Sequence, residues 1–224
     1  HIFKYGTNMK FSIDFKKLGF AKEKKIYLEN DGNLAAYSEY LSHFKNDYKN
    51  LIMLTFGTGV GGGIIYNSEI FKGSGNAGEI GRILINEKSY LEDVISAKAW
   101  TKKCQELYEI NKETKLSNIF YEEKVGSLLF DRSIDLEDYE KYARDEIIQN
   151  TSNALISLFE LFDNDIFVIG GSMTKSPYDF LPLLDEYISK NFEFPNRNFP
   201  KIKLSKARED SGMLGAALLA LNSE

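Results

Sequence analysis

Asp31 sits in the run Glu29-Asn30-Asp31-Gly32-Asn33, a carboxylate between two amides. It follows the apolar segment Ile26-Tyr27-Leu28 and precedes a helix-like stretch. A carboxylate at such a junction lies where α/β proteins place ligands, and it can take a proton from an attacking hydroxyl. The alternative is a helix N-cap. A second group of residues, Leu54 to Ile64, reads Leu-Thr-Phe-Gly-Thr-Gly-Val-Gly-Gly-Gly-Ile. Its opening residues Gly57, Thr58 and Gly59 offer bare backbone N–H groups and a hydroxyl, which suit phosphate. No Gly-Lys-Ser/Thr follows, so the run is not a P-loop, and a strand rather than a helix comes next, so it is not a dinucleotide fingerprint. A tight hairpin with a bulge is the structural alternative. Glu79, in the polar run Gly73 to Gly81, and Glu92 are further candidate ligands, or else solvated surface charges. Gly170-Gly171-Ser172 closes an apolar strand and would admit a flat group such as a nucleobase or sugar, unless it is an ordinary strand-to-helix turn.

The elements that must position these groups follow from periodicity. Ile26 to Leu28 reads as a strand end, Gly32 to Ser42 as a helix, and Leu51 to Phe56 as a buried strand. Gly63 to Tyr66 and Glu69 to Phe71 read as a hairpin around Asn67-Ser68. Arg82 to Ile85 reads as a strand and Ser96 to Ile110 as a helix. A long helix is expected over Leu136 to Phe162, with Tyr139, Tyr142, Ile147, Thr151, Ala154, Leu155, Leu158 and Phe162 in one stripe, stopped by Asp163-Asn164-Asp165. Ile166 to Ile169 is a strand, Tyr178 to Lys190 a helix, Ile202 to Leu204 a strand, and Ser211 to Leu221 a last helix. Strands alternating with helices specify an α/β fold. His1 to Asn8 shows no clear period.

The 224 residues carry 28 Lys and Arg against 33 Asp and Glu, a net charge of −5, which gives no electrostatic case for nucleic acid or a membrane surface. The apolar runs are too short to span a bilayer. One cysteine, Cys104, excludes an internal disulfide framework and a cysteine-cluster metal site. The expected setting is cytoplasmic.

Taken in order, these blocks resemble the ROK family of bacterial sugar kinases and sugar-responsive repressors. Glu29 to Asn33 is similar to its Asn-Asp-Ala-Asn block, and Phe56 to Ile64 to its second phosphate loop. Gly73 to Gly81 is similar to its Gly-x-x-x-Ala-Gly-Glu-Ile-Gly block, Ile169-Gly170-Gly171 to its adenosine-side motif, and Asp210 to Ala217 to its terminal helix. The resemblance implies the actin-like ATPase (ribonuclease H-like) α/β fold, mostly its carboxyl-terminal lobe. Residues 1–49 would be a remnant of the amino-terminal lobe, 50–204 the carboxyl-terminal lobe, and 205–224 a helix returning toward the first. It also implies ATP and Mg²⁺, a hexose or amino-hexose substrate and a homodimer. Asp31 would be the general base, and Asn30, Glu79, Arg82 and Glu92 the sugar-side residues. Gly57, Thr58, Gly59, Gly170 and Gly171 would border the nucleotide.

Three departures from the family pattern set further expectations. No Asp-x-Gly-Gly-Thr-like phosphate loop precedes Asp31, so the chain as given is not expected to bind ATP normally. The family's Glu-Ile-Gly-His reads Glu79-Ile80-Gly81-Arg82, and an arginine there would favour an acidic or phosphorylated ligand. The family's cysteine-rich zinc segment is replaced by Asn86 to Tyr90, so structural zinc is not expected. Besides a kinase, the resemblance admits the sugar-sensing domain of a repressor or a family member without activity.

Overall fold

Strand β3, Leu51–Phe56, is apolar along almost its whole length because it is covered on both faces. It is the centre of a five-stranded sheet in the computed structural model, which describes residues 2–3, 13–14, 25–110, 130, 135–136, 138–171, 180–193, 196–206 and 210–223. Two short strands, β1 (Ile2–Phe3) and β2 (Ile13–Asp14), form a separate antiparallel pair. Helix α1 spans Asp31–Glu39 and runs on into a π-helical turn, Tyr40–Phe44, closed by the Lys45 N–H donating to the Tyr40 carbonyl. After β3 come β4 (Val60–Tyr66) and β5 (Glu69–Ile70), then α2 (Glu92–Ile95) and α3 (Ala97–Ile110). The chain continues through α4 (Asp138–Phe162), β6 (Ile166–Gly170), α5 (Phe180–Asn191), β7 (Lys201–Leu204) and α6 (Ser211–Asn222).

The sheet order is β5-β4-β3-β6-β7; β4 is antiparallel to both of its neighbours, β3 and β5, and β6 and β7 run parallel to β3. Alternate residues of β3 and β6 face opposite sides, as the pleat requires. Leu51, Met53, Ile166 and Val168 pack with Ala35, Ala36, Tyr40 and Phe44 on the α1 side. Ile52, Leu54, Phe56, Phe167 and Ile169 pack with α2 to α5 on the other, through Ile95, Trp100, Leu155 and Leu184. Helices therefore cover both faces of a mixed sheet. Among the described residues no helix is long and apolar enough to cross a membrane.

Most expected elements form, and the β4–β5 turn shows why. Asn67 and Ser68 both take positive φ, 50° and 70°, the backbone that a two-residue hairpin turn needs. Three expectations are corrected. Ile26 to Leu28 is not a strand: it runs beside no ladder among the described residues, and the Tyr27 hydroxyl instead donates to the Ser223 carbonyl at 3.0 Å. Arg82 to Ile85 is not a strand either. The Arg82 and Ile83 N–H groups donate back to Glu79 and Ile80, coiling Ile80–Arg82 into a 3₁₀ turn. Asn86 Oδ1 then accepts from the Lys88 and Ser89 N–H groups, reversing the chain so soon that only Leu84 and Tyr90 pair. In the α4 stripe, Ile147, Thr151, Ala154, Leu155 and Leu158 are buried, but Tyr142 is 68% exposed on the opposite side of the helix. The start of the expected helix at Tyr178, and Ser172, lie outside the described residues, as does the side chain of Tyr139.

Candidate functional site

The position of Asp31 is set by its neighbours. Asn30 has extended backbone (φ −66°, ψ 145°) and is the N-cap of α1, its Oδ1 accepting from the N–H groups of Gly32 at 2.8 Å and Asn33 at 3.2 Å. Asp31 is thus the first helical residue rather than the cap. It stands exposed, with Oδ1 accepting from the Gly32 N–H at 2.9 Å. Glu29 lies behind it. Burial raises the Glu29 pKa, but hydrogen bonds from Lys72, Asn33 and the Asn30 N–H, with the Lys72 charge, outweigh burial and hold it below its ordinary value.

The glycine run divides into two parts with different causes. Gly57, Thr58 and Gly59 form the turn, since Phe56 already pairs with Val60. The Gly57 N–H donates to the Gly59 carbonyl at 3.0 Å, and the Ala97 N–H at the start of α3 holds the Gly57 carbonyl at 2.9 Å. These bonds leave out the N–H groups of Thr58 and Gly59. Gly61 to Gly63 belong to β4, where α1 crosses the sheet at close range. A Cβ at Gly63 would stand 2.6 Å from both the Ala36 Cβ and the Gly32 carbonyl oxygen, closer than side chains pack. Gly63 is therefore glycine so that the helix bearing Asp31 can lie directly on the strand that leaves the turn, while a Cβ at Gly61 would meet Thr55 Oγ1 and one at Gly62 the Ile80 side chain.

The two ends meet in a cavity of about 490 Å³ lined by Asp31, Gly57, Gly59, Glu79, Glu92 and Gly171, with Thr55, Ser211 and Gly212. Gly171 (φ 102°) follows β6 and tucks against the Phe56 backbone, where any Cβ would overlap the Phe56 carbonyl. Glu92, at the start of α2, abuts the turn so closely that a Cβ on Gly59 would lie 2.9 Å from its Oε2. Glu79 is aimed by its neighbours: Gly78 turns the chain at φ 93°, and Ile80 is buried against β4. Ser211 and Gly212 open the 12-residue helix α6, so its positive dipole end meets the cavity. That helix end and the bare turn suit a phosphate, while the three carboxylates suit hydroxyl donors. A larger hollow of about 740 Å³ between α5 and residues 197–200 lies away from all of these residues.

Four expected site residues do not line the cavity. Asn30 spends its Oδ1 on the cap. Thr58 is exposed on the turn, and Gly170 is within the sheet, paired with Thr55. Arg82 lies beside the cavity with its guanidinium carbon 3.9 Å from the centre of the Tyr90 ring, and its Nη1 is 3.9 Å from Glu92 Oε1. Its charge is thus directed at protein groups. Sequence reasoning missed Thr55, Ser211 and Gly212. The resemblance of Asp210 to Ala217 to a terminal helix was the available signal, since a helix that begins with Ser-Gly presents bare N–H groups.

A mixed sheet with helices on both faces and a polar cavity at the carboxyl ends of its central strands places the chain in the α/β class, with the actin-like ATPase fold. Residues 12–223 match the model of the ROK family, and the chain belongs to that family. It is 26% identical over 210 residues to a glucokinase of Thermotoga maritima, covering 87% of this chain and 65% of that protein. It is 27% identical over 197 residues to an N-acetylmannosamine kinase of Haemophilus influenzae, covering 87% and 63%. The chain thus spans somewhat under two thirds of the length of these relatives. Among solved structures, the ROK family glucokinase of Streptomyces griseus, in complex with glucose and AMPPNP, superposes with TM-score 0.76 at 20% identity over 92% of this chain and 70% of that one. A ROK family transcriptional regulator superposes with TM-score 0.75 at 20% identity over 92% and 54%. Likeness at this identity carries the fold alone.

Proposed function

We propose that the full-length protein transfers the γ-phosphoryl group of ATP to a hydroxyl of a neutral hexose or amino-hexose. The observation that carries this reading is the shared cavity of Asp31 and the Gly57–Gly59 turn. Asp31, exposed at the mouth of α1, accepts the proton of the substrate hydroxyl as that oxygen bonds to the γ-phosphorus and the bond to ADP breaks. Phosphoryl transfer asks the protein mainly for positioning and charge stabilisation. The turn and the start of α6 receive the phosphates through backbone N–H groups and the helix dipole, and Gly171 borders them. Glu79 and Glu92 accept hydrogen bonds from sugar hydroxyls.

Among the described residues, no three His, Cys, Asp or Glu side chains gather as a metal-binding group. Mg²⁺ as a nucleotide partner keeps several waters and is held mostly by the phosphates. When bound it would neutralise phosphate charge.

Three carboxylates on the wall, with Arg82 stacked on Tyr90, disfavour the acidic or phosphorylated ligand expected from the arginine alone. A coupled ADP-release assay on full-length protein over hexoses, amino-hexoses and hexuronic acids tests the assignment. Turnover is expected with neutral or amino sugars and not with the acids. Sugar binding without turnover on any of them would assign the protein to sugar sensing instead.

A further inference from the structure

Between the helix that bears Asp31 and the loop that bears Glu79 lies an ion pair that no step above uses. Lys72 Nζ is 2.6 Å from Glu29 Oε2, with the Glu29 side chain only 6% exposed and that of Lys72 51% exposed. Glu29 Oε1 accepts from the Asn33 amide at 2.9 Å and from the Asn30 N–H at 3.0 Å. Asn33 is itself buried, and its Oδ1 takes no partner. That oxygen faces Gly78, where an added Cβ would lie 3.4 Å away. Lys72 begins the loop: its carbonyl accepts from the N–H groups of Gly75 and Ala77, and the chain then turns through Gly73, Gly75 and Gly78, all at positive φ, to reach Glu79. The restraints internal to this loop are backbone bonds, those to the Lys72 carbonyl and the Ile80 N–H on the Gly78 carbonyl. Its described side-chain tie to the helix start is the Lys72–Glu29 pair.

We propose that Glu29 and Lys72 form a latch that holds the 73–79 loop against the start of α1 and so, together with the Gly78 turn and the buried Ile80, sets the distance between Glu79 and Asp31 across the sugar side of the cavity. The two residues are positioning residues for the sugar, and the inference rests on the sugar-kinase reading above. An exposed ion pair is weak. This one differs because one partner is almost fully enclosed and saturated with donors, so losing Lys72 leaves a buried charge short of a partner and frees the loop. The effect falls on sugar affinity more than on the chemical step, because the Asn30 side-chain cap and the β4 crossing also hold Asp31.

The test is Lys72→Met against Lys72→Arg in the full-length protein, read by sugar KM, kcat and amide hydrogen exchange over residues 73–79. Half exposure of Lys72 makes both variants compatible with folding. Lys72→Met is expected to raise sugar KM about tenfold, equivalent to about 1.4 kcal/mol. It should leave kcat within about twofold, and speed exchange across the loop, as expected of a segment that has lost a restraint. Lys72→Arg restores both readouts. Unchanged exchange in Lys72→Met overturns the latch, and so does unchanged sugar KM or a fall in kcat with KM preserved. Absence of turnover by the unmodified protein on every sugar refutes the kinase reading instead, and the exchange comparison then still decides the latch.

Discussion

Gly63→Ala adds a single methyl outside the cavity lining, and it should nevertheless disable the site. The new Cβ would lie 2.6 Å from the Ala36 Cβ and the Gly32 oxygen and 3.0 Å from the Asn33 Cα. None of these is the far end of a flexible side chain, so the strain cannot be relieved by a rotamer change. Carbon atoms rest about 3.5–4.0 Å apart, so α1 must retreat by about 1 Å. It cannot retreat freely, because α6 lies on its other side with Gly215 against the Leu34 carbonyl. Overpacking of this kind costs about 1–3 kcal/mol. At about 2–4 °C per kcal/mol for a domain of this size, Tm should fall by roughly 2–12 °C. A displacement of about 1 Å carried to Asp31 at the head of the helix should lower kcat by about 100-fold. Gly57→Ala is the matched control. Its Cβ meets only the Gly59 oxygen, at 4.0 Å, so Tm should hold while KM for ATP rises, because the methyl occupies the phosphate side of the turn. Melting curves and steady-state kinetics on both variants decide the matter. A Gly63→Ala protein with unchanged Tm and kcat would refute the claim that the α1–β4 crossing positions Asp31.

Other outcomes follow from the same contacts. Asn30→Ala should cost about 1 kcal/mol through loss of the cap, and Asn30→Gly only a few tenths, measurable by denaturant titration. Asp165 Oδ2 accepts from the Lys49 and Asn50 N–H groups at 2.8 Å, tying the approach to β3 to the start of β6. Asp165→Ala should therefore cost about 1–2 kcal/mol without altering sugar specificity. Because the Glu29 pKa is lowered in the folded protein, its contribution to stability is fully present above the unfolded value of 4.5 and is lost as pH falls through the lower folded value. Glu29→Gln should accordingly flatten the acid limb of a stability–pH curve below that value while leaving the curve near neutrality level.

The parts of this fold that could be read from sequence are those whose cause is local. β3 and β6 are short apolar runs, the β4–β5 turn carries residues that accept positive φ, and α4 repeats at helical spacing until Asp163, at φ 47°, ends it. What could not be read has a tertiary cause. Gly61 to Gly63 look continuous with the phosphate turn, but contacts from elsewhere in the chain demand them: Thr55 at Gly61, Ile80 at Gly62 and α1 at Gly63. Arg82 to Ile85 has strand composition, yet the 3₁₀ turn before it and the Asn86 reversal after it leave room for one bridge. In the site, the cluster Asn30, Asp31 and Asn33 is denser than one cap requires, and its members do different things. Asn30 caps the helix, Asp31 offers an open carboxylate, and Asn33 is the buried partner of Glu29. Glu29 itself gave no sign in sequence, because its partner Lys72 lies 43 residues away in an exposed loop. Arg82 shows the opposite error, since its charge suggested an anionic ligand and its stacking on Tyr90 supplies another reason for it.

The most direct measurement is turnover by Asp31→Asn in the full-length protein, with sugar affinity followed by calorimetry on the same sample. Loss of the proton acceptor should lower kcat by about 10²–10⁴-fold. The amide keeps the side chain's size, so the sugar dissociation constant should stay within about twofold of the unmodified protein. A variant that turns over at close to the original rate would contradict the role given to Asp31 and with it the chemistry assigned to the cavity.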